Sequence, residues 1–192
     1  AKSKATFLHS LFWETLVADR ADQLAAQEAL RVEAICRALD AAGAALSRAE
    51  IEAAYGRTAG VLVERYWGRH RDLPCPEQVK VVMDCIVPGA AGRLDGAAMD
   101  ELIAGYGSPV LAHPPALQPG AAEALRGLAA AGVRLGIISN TGRTPGVILR
   151  RVLEAADLLE HFSVVSYSDE VGFRKPDAEI FEHTLGALGL TA

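Results

Sequence analysis

Apolar positions recur along this chain in two rhythms. Between Ala18 and Gly43, Leu24, Leu30, Ile35 and Leu39 fall at helical spacing among many alanines, and Gly43 supplies a C-terminal stop. Ser47-Arg48-Ala49-Glu50 reads as a capping box, in which the serine oxygen and the glutamate side chain satisfy two orphan N–H groups. It opens a second helix that runs to about Trp67. Pro74 and Pro76 break the pattern. A third helix then carries Val79, Val82, Met83 and Ile86 on one face and stops at Pro88-Gly89. Asp95 caps a fourth, over about 96–106, closed by Gly107. Residues 18–107 are therefore expected to pack as four helices with no strand.

The rhythm changes at Pro109. Pro114, Pro115 and Pro119 predict a rigid, extended linker, with Pro119 as the first residue of a helix through Ala131. Gly132 ends that helix, and Val133–Ile138, apolar apart from Arg134, predicts a buried strand. Thr144-Pro145 starts a helix to about Ala156. Ser163–Tyr167 predicts another strand, and Asp177 caps a last helix through Leu188. Near the start, Lys4–His9 predicts one more short strand. Helix, strand, helix, strand, helix with short loops implies an α/β fold with a parallel sheet and crossover helices.

Composition narrows the class. A 51% hydrophobic and 22% charged content suits a folded globular chain, and with aromatics at only 6% the core must rest on Ala, Leu and Val. A net charge of −5 argues against a nucleic-acid backbone as partner. The basic knot of Arg65, Arg69, His70 and Arg71 is interrupted by Asp72. Cys36, Cys75 and Cys85 are far apart and odd in number, so no disulfide framework is expected and a reduced, cytoplasmic setting follows. The apolar stretch Ala5–Leu16 is too short and too polar to span a membrane.

Two loops lie just past the C-terminal ends of predicted strands, where open α/β sheets bind ligands. In Ser139-Asn140-Thr141-Gly142, a hydroxyl and successive backbone N–H groups suit an oxyanion, phosphate or carboxylate, although a plain polar turn would read the same way. In Ser168–Asp177, Lys175 stands before Pro176 and the capping Asp177. A lysine held there would neutralise developing negative charge; a solvated surface lysine is the other reading.

Ile137-Ile138-Ser139-Asn140-Thr141-Gly142 resembles the second motif of the haloacid dehalogenase-like (HAD) hydrolases, and Gly172-Phe173-Arg174-Lys175-Pro176-Asp177-Ala178-Glu179-Ile180-Phe181 resembles the third. The resemblance implies a Rossmann-like parallel sheet core from residues 1–17 and 108–192, with 18–107 as an inserted four-helix cap. It gives Ser139, with Asn140, Thr141 and Gly142, the binding of a small anionic substrate, a phosphate or a carboxylate. It gives Lys175 the steadying of a nucleophile, and it implies Mg²⁺ as cofactor. Arg65, Tyr66 and Trp67 of the cap become candidates for substrate selection, with bundle core as the other reading of Tyr66 and Trp67.

The family's first motif, an aspartate ending the first strand, is not matched. Alignment on Thr15-Leu16-Val17 puts Trp13 at an aromatic position and Leu11 at the nucleophile's; alignment on the strand end puts His9 or Ser10 there. Leucine is no nucleophile, and the first aspartate is Asp19. The family's later acidic magnesium motif is also unmatched, and Asp169 and Glu170 are weak candidates to stand in for it. Three expectations follow: a HAD-type hydrolase of phosphate esters or haloacids, inactive in this form; a non-catalytic binding protein; or an oligomerising module. Self-association would follow if the strand at Thr6–Leu8 leaves an open sheet edge.

Overall fold

The computed structural model describes residues 5–8, 17–18 and 21–190. Helix α1 (Ala21–Ala41), α2 (Arg48–Arg65), α3 (Cys75–Ile86) and α4 (Gly96–Gly107) follow one another with short connections. The local signals act as read. Ser47 and Glu50 form the reciprocal capping box, and Asp95 accepts from the N–H of Ala98. These helices share one core, built on Ile35, Leu39, Leu62, Met83, Leu102 and Tyr106. Helices α1 and α4 approach so closely that a Cβ built on Gly105 would lie 2.7 Å from that of Ala34.

The second half is α/β. Strand β1 (Ala5–Leu8) pairs in parallel with β4 (Arg134–Ser139), which pairs in parallel with β5 (Phe162–Tyr167), in the order β1-β4-β5. Leu8 stands opposite Ile137, two residues before the end of β4. Helix α6 (Ala121–Ala130) precedes β4, and α7 (Gly146–Ala155) crosses from β4 to β5. The short α8 (Ser168–Val171) and then α9 (Ala178–Ala187) follow β5. A second core, with Leu125, Leu135, Ile137, Leu153 and Tyr167 buried, lies between sheet and helices.

Three expectations are corrected. The linker expected at Pro114–Pro119 contains a paired strand: Ala116–Leu117 forms β3, antiparallel to β2 (Val17–Ala18), and ahead of it Pro109–Ala112 forms a short helix, α5. The expectation of no strand within residues 18–107 accordingly fails at Ala18. Proline suits the first turn of a helix, which is why Pro109 starts α5. Helix α6 begins after Pro119, at Ala121, because Gly120 ahead of it adopts a left-handed φ of 81°. Among the described residues, no helix is long and apolar enough to cross a membrane.

Candidate functional site

Lys175 is 7% exposed, which settles its two readings against a solvated surface lysine. Its Nζ donates to the carbonyl of Ile138 at 2.5 Å, at the C-terminal end of β4 and next to Ser139. Burial lowers its pKa to about 8, and the neighbouring Arg174 charge pushes the same way. Asn140 fixes the lysine from behind: its Oδ1 accepts from the Lys175 N–H at 2.7 Å, and its Nδ2 donates to the Lys175 carbonyl at 3.1 Å. Both ends of the Asn140 amide thus hold backbone, so Asn140 positions Lys175.

Thr141 is also turned to structure. It is buried, its N–H donates to Ser168 Oγ at 2.8 Å, and its hydroxyl bonds Asp72 and Ser168. Gly142 accepts at its carbonyl from Gln78 of α3 at 3.1 Å, a tie between the helical layer and the sheet layer. Ser139 makes no side-chain hydrogen bond among the described residues, and it lines the cavity next to the loop.

That cavity, about 560 Å³, lies between α1, α2 and the loop from Ser139 to Thr144. Ser139, Asn140, Arg143, Glu28 and Arg31 are among the residues that line it. Glu28 accepts from Arg31 at 2.8 Å, from Arg143 at 2.7 Å and from the Tyr55 hydroxyl at 2.9 Å. The Arg143 guanidinium lies over the Tyr55 ring, 4.6 Å from its centre. Of the three candidates for substrate selection, Trp67 lines this cavity. Tyr66 and Trp67 both pack on the helical core, and Arg65 ends α2.

Asp72 was visible in the sequence only as an interruption in a basic run. Its side chain is wholly buried and sits where the two layers meet. It accepts from Trp67 Nε1 at 3.0 Å and the Leu73 N–H at 2.9 Å on one oxygen. Ser168 and Arg174, both at 2.5 Å, and Thr141 bond the other. The backbone closes the same seam, because the Asp72 N–H donates to Gly172 O and the Arg174 N–H to His70 O. An acid directly after Arg69-His70-Arg71, amid polar loop residues, was the signal available.

Asp169 and Glu170 do not fit the magnesium role considered for them. Both Asp169 oxygens face the N–H of Gly146, at 3.2 and 3.1 Å, where the carboxylate caps α7. Burial raises the pKa of Asp169 even so, against the lowering effect of that N–H. Glu170 forms a two-point ion pair with Arg150. Among the described residues, no group of three or more His, Cys, Asp or Glu is placed to share a cation. His9, Ser10 and Leu11, the candidates for the nucleophile's position, lie outside the described residues.

A family model for haloacid dehalogenase-like hydrolases matches residues 7–192. The chain belongs to that family. A bovine relative, haloacid dehalogenase-like hydrolase domain-containing protein 3 from Bos taurus, is 39% identical over 66 residues, 34% of this chain. The chain matches only 25% of that relative's length. Among solved structures, a HAD phosphatase from Thermococcus onnurineus aligns over 97% of this chain and 72% of its own, at TM-score 0.57 and 21% identity. The HAD-hydrolase YfnB from Bacillus subtilis, solved bound to magnesium, aligns over 96% and 74%, at TM-score 0.53 and 18% identity. At these identities the two structures establish the HAD-like fold.

Proposed function

We propose that this HAD-family chain binds a small anionic substrate, a phosphate ester or a haloacid carboxylate, between Ser139 and Lys175, and does not turn it over in this form. Residues 1–17 and 108–192 make the core in this reading and 18–107 the cap. The observation that carries it is the buried Lys175 ammonium anchored on Ile138 O, one residue from the Ser139 hydroxyl. A largely desolvated cation at a strand end attracts an oxyanion far more strongly than the same cation in water. The want of turnover rests on chemistry: β1 ends at Leu8 and is followed by His9-Ser10-Leu11, with no carboxylate to attack phosphorus or carbon. The free state of Cys36, Cys75 and Cys85 supports a reducing, cytoplasmic setting.

The test is sulfate binding by calorimetry and thermal shift, in the native chain, Ser139→Ala and Lys175→Met. Binding in the native chain that is lost in Lys175→Met is expected; equal binding in all three rejects the site. Aryl phosphate and 2-haloacid assays, with and without Mg²⁺, test the second half. A metal-dependent turnover that survives repurification and vanishes in Lys175→Met would overturn it.

A further inference from the structure

We infer that Arg143 is a specificity-determining residue that binds a second acid group, so that the cavity selects anions carrying a carboxylate beside the group held at Ser139 and Lys175. This rests on the reading of Ser139 and Lys175 given above. Arg143 lies in the same loop as Ser139, four residues on, and both line the one cavity. Four residues span at most about 14 Å, so two anchors in this loop suit one small molecule.

The guanidinium is pre-organised. Glu28 holds its Nη1 at 2.7 Å and the Tyr55 ring supports its face at 4.6 Å. Nε and Nη2 take no hydrogen bond among the described residues, although the side chain is only 22% exposed. That leaves the two-donor edge of the fork, the edge that takes a carboxylate side-on. Glu28 does not cancel this charge, because it is shared with Arg31, which also donates to Tyr106 O and Thr144 Oγ1. Two guanidinium groups against one carboxylate leave a net positive charge in a partly desolvated wall, where a ligand anion gains most. Arg31 is itself buried and spent on these partners, so Arg143 is the cation that remains to meet a ligand.

The experiment measures binding to the native chain of methylphosphonate, phosphonoacetate and phosphonoacetamide, which differ in whether a carboxylate is present and charged. Phosphonoacetate is expected to bind about tenfold more tightly than its amide, the lower end for a charge-assisted pair. Arg143→Gln should remove that difference and leave methylphosphonate binding unchanged. Equal binding of acid and amide overturns the inference, and the Ser139–Lys175 site still stands if Lys175→Met abolishes methylphosphonate binding. A preference for the acid that persists in Arg143→Gln also overturns it. If none of the three compounds binds, both readings fall. The acid–amide comparison needs only the native chain, so the inference is decided even if Arg143→Gln fails to fold.

Discussion

Asp72 and Arg174 meet at 2.5 Å across the seam between the helical and sheet layers, although 102 residues separate them in sequence. The carboxylate is buried among hydrogen-bond donors, and the guanidinium also lies over the Trp67 ring at 4.7 Å. Removing one member of such a pair strands the other's charge. Asp72→Ala is expected to cost about 3–5 kcal/mol in urea unfolding. Because the cost lies in the stranded guanidinium, adding Arg174→Met should recover part of it. Trp67 loses its Nε1 acceptor, so the native fluorescence should shift as well. A loss below about 1 kcal/mol would mean the pair behaves as a surface contact.

Lys175 makes two opposite predictions about pH. Its folded pKa of about 8 is below the ordinary 10.5, so between those values the unfolded chain holds the extra proton. Stability then rises with pH across that window as the cost of the buried charge is relieved, by roughly 3 kcal/mol at most. Anion binding goes the other way, since it needs the ammonium. Sulfate, which does not titrate here, should bind well at pH 7 and weakly above pH 9. Lys175→Met should show neither trend. Sulfate affinity flat from pH 7 to 10 in the native chain would contradict the assignment.

What could be read from the sequence was what is local. The capping box at Ser47, the caps at Asp95 and Asp177, and the strand Arg134–Ser139 depend on neighbours within a few residues. Strand β3 was hidden because Ala116–Leu117 is a strand only by pairing with Val17–Ala18, about a hundred positions earlier. Asp72 was hidden for the same reason: Thr141, Ser168 and Arg174 lie 69, 96 and 102 residues away. The site was legible as a loop, but the long-range bonds that hold it were not. The residue types of Asn140 and Thr141 suit an anion, and nothing local shows that their side chains also bond Lys175 and Asp72, 35 and 69 residues away.

Packing at the start of α7 should be intolerant of one methyl group. A Cβ on Gly146 would lie 2.5 Å from Tyr167 Cδ2, 2.6 Å from Tyr167 Cβ and 2.7 Å from Glu170 Oε1. Tyr167 is buried and its Cβ cannot swing away, so Gly146→Ala is expected to destabilise by about 1–3 kcal/mol. Gly127, exposed in α6 with nothing near its missing Cβ, is the control. There alanine should stabilise by about 0.5–1 kcal/mol through helix propensity. Equal effects at the two positions in thermal unfolding would refute the close approach at Gly146.

Asn140 should control anion binding without touching the anion. Its amide accepts from the Lys175 N–H and donates to the Lys175 carbonyl, and so sets where the lysine stem leaves the backbone. Asn140→Ala removes both bonds and is expected to destabilise by about 1–3 kcal/mol, because two part-buried backbone groups lose their partners. Fold loss alone would lower the melting temperature and leave sulfate affinity per folded molecule unchanged. Positioning predicts more: affinity falls with Asn140→Ala even where calorimetry is run far below the melting point. Asn140→Asp separates the contributions. It keeps the acceptor for the Lys175 N–H but sets a carboxylate against the Lys175 carbonyl, so it should retain part of the affinity if the N–H bond dominates. Sulfate affinity unchanged in Asn140→Ala at a temperature where the protein is fully folded would show that Lys175 holds its place through Ile138 alone.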